Sequence, residues 1–123
     1  MKILIIDDDA DINVLSKVAL EANNHDVIQA YNGYQGIEFA KKYHSEIDVI
    51  VLDIMMPDLD GFEVLEKLKN DPDTKKIPVI FLSARKFGDE TLNDYEDMIV
   101  SFIAKPFELS HFINKVENIA KHK

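Results

Sequence analysis

Short runs of consecutive apolar residues alternate along the chain with longer stretches in which apolar residues recur about every 3.6 positions. The short runs predict five strands, and the longer stretches predict five helices. The predicted strands are Lys2 to Ile6, Asp26 to Ala30, Ile47 to Leu52, Ile77 to Leu82 and Val100 to Ala104. The predicted helices are Ala10 to Asn23, Gly33 to His44, Gly61 to Asn70, Asp89 to Asp97 and Glu108 to Lys121.

The third predicted strand is apolar at every position from Val49 to Leu52. A strand that faces water on one side alternates apolar and polar residues, whereas continuous runs are typical of a sheet covered by helices on both faces. Strict alternation of strands and helices therefore predicts a doubly wound α/β fold with a parallel sheet and right-handed crossovers. Turn residues at Asn32-Gly33 and Asp60-Gly61 fall between predicted elements, in agreement with this division.

Two predicted helices carry apolar stripes that indicate which face contacts the core. In the last helix the stripe is Leu109, Phe112, Ile113, Val116 and Ile119. In the first helix the residues expected to face the core are Ile12, Leu15, Ala19 and Ala22, beside a surplus strip of Val14 and Val18.

Composition limits the classes of function. The chain has 123 residues, which suits one domain, and no cysteine, which excludes disulfides, thiol nucleophiles and cysteine-based metal sites. Its formal net charge of −9 opposes direct binding to nucleic-acid phosphates. No apolar run approaches the about 20 residues of a membrane span, and no secretory signal is evident, so we expect a cytoplasmic protein. The histidines, which are expected to be exposed, are His25, His44, His111 and His122.

Polar residues follow four of the predicted strands. The first strand ends in Asp7-Asp8-Asp9, the third in Asp53, the fourth in Ser83 and the fifth in Lys105. The carboxyl ends of parallel strands meet at one edge of an open α/β sheet, where ligands bind. We therefore expect these side chains to lie on the same edge.

An acidic triplet alone is typical of a solvated loop, and we expect Asp9 to cap the first helix. Asp53 differs, because it follows a strand that is predicted to be buried. Crowded carboxylates repel unless a cation neutralises them, and carboxylates without histidine or cysteine favour Mg²⁺ or Mn²⁺. With Lys105 and Ser83 nearby, the set suits stabilisation of a transferring phosphoryl group, and Asp53 is then the nucleophile that forms an acyl phosphate.

Four segments together resemble the receiver domains of two-component response regulators, the CheY-like superfamily. They are Ile3 to Asp9, Val51 to Gly61, Ile77 to Ala84 and Lys105 to Phe107, in the order and spacing of the family. The resemblance covers essentially the whole chain and implies a flavodoxin-like sheet with strand order 2-1-3-4-5. It also implies a signalling phosphoprotein that catalyses its own phosphorylation and dephosphorylation, not a turnover enzyme.

The resemblance implies a role for each matching acidic residue. Asp53 matches the phosphoacceptor, and Asp7 and Asp8 match the acidic pair of the metal site. Asp8, Asp53 and the backbone carbonyl of Met55 would be direct ligands of Mg²⁺.

Further roles follow for residues after the fourth and fifth strands. Ser83 matches the hydroxyl that bonds the phosphoryl group, and Lys105 matches the lysine that pairs with it. The resemblance also implies a cis peptide bond between Lys105 and Pro106.

Phe102 matches the switch aromatic, which in the family turns inward when the Ser83 hydroxyl moves toward the phosphoryl group. Phosphorylation would then bias a pre-existing conformer of the surface formed by the fourth helix, fifth strand and fifth helix, where downstream proteins bind. Receivers commonly have Gly-Ala and a tyrosine here, whereas this chain has Met98 to Ser101 and then Phe102, so a switch that needs the tyrosine hydroxyl cannot operate. The residues alone favour a simpler interpretation, in which Phe102 is a core aromatic.

The implied phosphodonor is a histidine kinase or a histidine phosphotransfer protein, and the implied acyl phosphate is slowly lost to water. We hypothesise that the surplus apolar surface of the first helix, which includes Val18, docks the helices of this donor. The alternative is scattered surface hydrophobicity, which is common in proteins.

Other functions compete with this interpretation. A pseudo-receiver that only binds proteins usually lacks the acidic pair, the acceptor or the lysine, all of which are present. A phosphatase of the haloacid dehalogenase type is imitated by Asp7-x-Asp9, Ser83 and Lys105, but Asp11 replaces an expected threonine or valine and no cap domain is evident. A nucleotide-binding protein would need a glycine-rich loop after the first strand.

We interpret residues 1–123 as one receiver domain without an output domain, either a stand-alone regulator or part of a longer protein.

Overall fold

Five parallel strands form a single sheet in the order β2-β1-β3-β4-β5. The structure is a computed structural model that describes residues 1–83 and 99–121, and it does not describe the side chains at 99, 100, 120 and 121. The strands are β1 (Lys2–Ile6), β2 (Asp26–Ala30), β3 (Val49–Asp53), β4 (Val79–Ser83) and β5 (Ile99–Ala104). The predicted fold class and strand order are confirmed.

Helices connect the strands in the described part of the chain. They are α1 (Ala10–Ala22), α2 (Gly33–Lys42), α3 (Gly61–Lys69) and a C-terminal helix (Leu109–Lys121). The helix predicted for Asp89 to Asp97 lies outside the described residues.

Hydrophobic cores cover both faces of the sheet, as the continuous apolar strands predict. On one face Leu52 of β3 and Phe81 of β4 belong to a cluster with buried residues of α2 and α3. On the other face Val51 and Leu82 belong to a cluster with Leu20 of α1 and with the C-terminal helix. The side chains of β3 and β4 are buried along their whole length, so the ends of these strands are rigidly held.

The predicted inner face of α1 is wrong. The fully buried residues of this helix are Asn13, Ser16 and Leu20, whereas Leu15 and Ala22 are exposed. The helix is therefore rotated so that two polar side chains face the sheet. In the C-terminal helix the predicted stripe is confirmed at Phe112 and Val116, which are fully buried.

Two predicted strands begin too early, at Ile47 and Ile77. Both residues lie in turns, where their N–H groups donate to the carbonyls of Tyr43 and Thr74, and both side chains still reach the core. A buried apolar residue in a turn has the same pattern in sequence as the first residue of a strand.

Two of the histidines predicted to be exposed, His25 and His44, are only partly exposed. His25 Nε2 lies 3.0 Å from Glu117 Oε2, which links the turn after α1 to the C-terminal helix. The His25 side chain is only 10% exposed.

Candidate functional site

The ends of four strands bring Asp7, Asp53, Ser83 and Lys105 to one edge of the sheet. Asp53 and Ser83 are the last residues of β3 and β4, and Asp7 follows β1 directly. The backbone holds these ends together, because Asp7 N donates to Ala30 O over 3.1 Å and Lys105 N donates to Ser83 O over 2.8 Å. Asp7, Asp53 and Ser83 are all buried.

Lys105 pairs with two buried carboxylates. Its Nζ atom donates to Asp7 Oδ2 over 3.0 Å and lies 3.4 Å from Asp53 Oδ1. The predicted meeting of the lysine with both acidic residues is therefore observed. The Lys105–Pro106 peptide bond is cis, as the resemblance implies.

The protonation of Asp53 is set by opposing effects. Burial and the negative charge of Asp7 raise the pKa of Asp53, whereas Lys105 and the N–H of Met55 lower it, and the net effect is a pKa of about 7. Burial alone would lower the pKa of Lys105, but its hydrogen bond with Asp7 and the charge of that carboxylate outweigh burial and raise this pKa. The site thus carries more negative charge than its lysine neutralises.

The donor set fits a small divalent cation. Asp7, Asp8 and Asp53 each offer a carboxylate oxygen, and these oxygens lie within 4.8 Å of one another. Asp8 is exposed while the other two are buried, so a cation there would have protein oxygens on one side and water on the other. Such a mixture of carboxylates and waters is typical of Mg²⁺.

The loop after β3 keeps Asp53 in place. Met55 N donates to Asp53 Oδ1 over 3.3 Å, while the ligand role of the Met55 carbonyl stays a prediction. At the end of this loop α3 begins with a capping box formed by Asp60 and Glu63. A Cβ atom at Gly61 would lie 2.7 Å from Ile54 Cα and 2.8 Å from Asp53 O, so only glycine allows the helix to begin this close to Asp53.

The three consecutive aspartates have separate roles. Asp7 is buried with Lys105, Asp8 is exposed at the carboxylate cluster, and Asp9 caps α1 by accepting from Asp11 N and Ile12 N. The predicted cap is confirmed. Sequence analysis missed Asn13, which lies behind Asp7 and donates to Asp7 O over 3.0 Å.

Phe102 packs on the core, as its residue type alone suggests. Its ring centroid lies 5.7 Å from that of Phe81, and Phe81 in turn contacts Phe62 at 5.4 Å. The side chain of Phe102 is half-buried. Lys115 of the C-terminal helix donates to Phe102 O over 2.9 Å and to Ser101 Oγ over 3.1 Å, which attaches the helix to β5.

An exposed apolar patch lies on α1 near the carboxylates. It consists of Val14, Leu15 and Val18, which are 48%, 49% and 59% exposed. The patch includes the predicted surplus strip and adds Leu15.

Among the described residues, no helix has both the length and the apolar character that crossing a membrane requires.

Comparison with known proteins gives one consistent result. The profile of the response regulator receiver domain matches residues 3–117. The DNA-binding dual master transcriptional regulator RpaA of Synechocystis is 33% identical over 98% of this chain and 49% of its own length. The response regulator GtcR of Aneurinibacillus migulanus is 35% identical over 97% of this chain and 45% of its own length. The chain thus spans about half the length of these curated relatives.

Solved structures agree with the observed fold. The N-terminal domain of a response regulator receiver protein from Methanoculleus marisnigri superimposes with a TM-score of 0.79 at 33% identity, covering 95% of this chain and 94% of that one. The chemotaxis protein CheY4 of Vibrio cholerae superimposes with a TM-score of 0.86, covering 96% of this chain and 97% of that one. At 22% identity the second likeness concerns the fold alone.

Proposed function

The chain belongs to the family of response regulator receiver domains, and we propose that Asp53 accepts a phosphoryl group from a phosphohistidine in a reaction that requires Mg²⁺. The observation that carries this proposal is the buried Asp53 carboxylate at a strand end, with Lys105 at 3.4 Å and two further aspartates around it. No other described group of His, Cys, Asp and Glu side chains brings three such ligands together.

In the proposed reaction an Asp53 oxygen forms the new bond to phosphorus as the bond from phosphorus to the donor's imidazole nitrogen breaks. The imidazole leaves with the electron pair of that bond and then takes up a proton from solvent. When bound, Mg²⁺ supplies positive charge that offsets the carboxylates and the phosphoryl oxygens. Lys105 adds positive charge beside the acceptor, and the Ser83 hydroxyl donates to a phosphoryl oxygen. Slow hydrolysis of the acyl phosphate returns Asp53 to its free form.

The proposed phosphoacceptor, the pseudo-receiver and the phosphatase predict different experimental results. We expect the intact mass of the chain to increase by one phosphoryl group after incubation with Mg²⁺ and acetyl phosphate. Asp53→Asn and a chelated sample should show no gain, whereas Asp58→Asn, which alters an exposed aspartate of the same loop, should be phosphorylated normally. Failure with both acetyl phosphate and a kinase donor would favour the pseudo-receiver. Steady phosphate release from a phosphomonoester, sensitive to Asp7 and not to Asp53, would favour the phosphatase.

The phosphodonor is proposed to dock on the α1 patch of Val14, Leu15 and Val18. Roughly half of each of these side chains is exposed, and Asp8 of the carboxylate cluster lies just before the same helix. A charge in the patch would oppose an apolar partner, so Val18→Glu should slow transfer from a histidine kinase but leave phosphorylation by acetyl phosphate unchanged. Ala22→Glu, at the far end of α1, is the matched control. Equal transfer rates for the two variants would remove this patch from the proposal.

Downstream proteins are proposed to bind the surface that includes β5 and the C-terminal helix. Phe102 and Lys115 support this assignment, because the first packs on Phe81 of β4 and the second joins the helix to β5. A change at Ser83, which ends β4, would be passed to Phe102 through the pairing of these two strands. Beryllofluoride, which mimics a phosphoryl group, should shift the NMR signals of Ser101 to Ala104 in wild type but not in Asp53→Asn. Signals that stay unchanged in both proteins would contradict the proposed surface.

A further inference from the structure

Asn13 is a fully buried amide on the face of α1 that contacts the sheet. Its Nδ2 group donates to two carbonyls, to Asp7 O over 3.0 Å and to Ala30 O over 2.9 Å. Its Oδ1 atom accepts from Gln29 Nε2 over 2.9 Å. One side chain therefore joins α1 to the ends of both β1 and β2.

These bonds lie where β1 and β2 end. Asp7 N donates to Ala30 O over 3.1 Å, and the Asn13 amide is a second donor to the same carbonyl. Asp7 O belongs to the planar peptide unit that connects Asp7 to Asp8. A donor that fixes this carbonyl therefore fixes the orientation of the peptide from which both acidic side chains project.

Hydrogen bonds determine which way the Asn13 amide points. The two backbone carbonyls can only accept, so the Asn13 nitrogen must face them and the Asn13 oxygen is left to accept from Gln29 Nε2. Gln29 Nε2 also lies 3.1 Å from the Tyr31 hydroxyl, which further restrains it. The orientation of the amide is thus set by a second strand and is not free to invert.

A residue that only filled this space would be apolar. Burial of an amide is costly unless its hydrogen bonds are made, and an apolar side chain of similar size packs without that cost. Leu20, on the same face of α1, is such a residue. The polar side chain at position 13 is therefore explained by the two carbonyls that it holds.

We propose that Asn13 is a positioning residue for the acidic pair, which acts on Asp7 and Asp8 through the peptide that joins them. This inference rests on the proposed function, because it concerns the same metal and phosphoryl site. Asn13 contributes no ligand and touches no reacting atom. It keeps the loop in the arrangement in which the carboxylates converge, even before a cation binds.

The first test is Mg²⁺ affinity, measured by calorimetry at a temperature at which circular dichroism shows every variant to be folded. Asn13→Leu removes the three hydrogen bonds and nearly preserves the volume. We expect it to weaken Mg²⁺ binding by about 10-fold, which is the usual effect of losing a residue that orients a metal ligand. Gln29→Leu leaves the Asn13 amide in place without its restraint and should weaken binding less.

The matched control is Thr74→Val. Thr74 is also fully buried, and its hydroxyl donates to Leu68 O over 2.7 Å at the opposite end of the sheet from the carboxylates. This variant should lose stability but keep its Mg²⁺ affinity. If Asn13→Leu behaves like Thr74→Val, Asn13 is only structural and the proposal is overturned.

The second test needs neither metal nor phosphate, so it separates this proposal from the proposed function. In the metal-free protein Asp9 N donates to Asp7 Oδ1 over 2.9 Å, and hydrogen exchange at this amide should be faster in Asn13→Leu than in wild type or Thr74→Val. Unchanged exchange would overturn the positioning role. If Asn13→Leu does not fold, Asn13→Asp, which keeps the acceptor for Gln29 and loses both donors, carries the same two measurements. A wild-type chain that does not bind Mg²⁺ would contradict the proposed function and leave the exchange result valid.

Discussion

Lys105 Nζ donates to Asp7 Oδ2 over 3.0 Å, and this ion pair is the shorter of the two that the lysine forms in the carboxylate cluster. The Asp7 side chain is completely buried, and that of Lys105 is 16% exposed. The lysine thus neutralises a carboxylate that has no access to water in addition to pairing with Asp53. Its contribution should therefore be measurable without any phosphodonor.

We predict that Lys105→Met destabilises the metal-free protein by about 3 kcal/mol, because removal of one partner leaves a buried charge uncompensated. Urea unfolding in the presence of a chelator measures this. Lys17→Met is the control, since Lys17 pairs with Glu21 at 3.7 Å on the surface of α1, and it should change stability by less than about 1 kcal/mol. Similar losses for the two variants would contradict the role assigned to the buried pair.

Stability of the metal-free protein should depend on pH through Asp53. Burial raises its pKa from 3.8 to about 7, so between these values the folded chain holds a proton that the unfolded chain has lost. The contribution of this group to stability is therefore full below about pH 4, declines as pH rises, and is lost above about pH 7. Asp53→Asn removes the effect. As pH rises from about 4 to about 7, we expect the melting temperature of Asp53→Asn to increase relative to that of wild type. The melting temperature of Asp58→Asn should change with pH in the same way as that of wild type. The prediction would be refuted if the melting temperature of Asp53→Asn also followed that of wild type.

We predict that Gly61→Ala both destabilises the fold and impairs phosphorylation. The added Cβ would lie 2.8 Å from the backbone oxygen of Asp53, which must shift, and such overpacking typically costs about 1–3 kcal/mol. Gly33→Ala is the matched control, because its Cβ would meet Leu59 and Val64 instead, at 2.8–2.9 Å. Both variants should lose stability in urea, but only Gly61→Ala should be phosphorylated more slowly by acetyl phosphate. An equal rate in the two variants would show that the position of Asp53 does not depend on Gly61.

Replacement of Ser16 is predicted to stabilise the protein, in contrast to the substitutions above. Its buried hydroxyl has no hydrogen-bond partner among the described residues, so it carries a desolvation cost that no bond offsets. Ser16→Ala should therefore stabilise the protein by about 1 kcal/mol in urea unfolding. Thr74→Val, which removes a buried hydroxyl that does have a partner, should destabilise it. A loss of stability in Ser16→Ala would mean that the hydroxyl is bonded after all.

The sheet and its order could be predicted because β3 and β4 contain long apolar runs, such as Val49 to Leu52, that only a sheet covered on both faces buries. The convergence of Asp7, Asp53 and Lys105 followed from the shared edge of parallel strands. Strand beginnings could not be predicted as well, since Ile77 is buried in a turn and its side chain has the same surroundings as a strand residue.

The inner face of α1 could not be predicted from hydropathy. Asn13 faces the sheet because its partners, Asp7 O and Ala30 O, lie at the ends of two strands that the chain forms before and after this helix. The hydropathy pattern does not take such hydrogen bonds into account, so it predicts that Leu15 faces the core instead. The structure leaves Leu15 half exposed beside Val14 and Val18. The error and the missed residue therefore have the same physical origin.

Although Asp7, Asp8 and Asp9 have identical side chains, each has a separate role. An insertion or deletion in this segment would therefore disturb at least one of these roles. Loss of any one codon leaves Asp-Asp, which an alignment would score as an intact acidic motif. The shortened segment would nevertheless lack the partner of Lys105, the exposed member of the cluster or the cap of α1. The number of residues between β1 and α1 is therefore constrained as strictly as their chemistry.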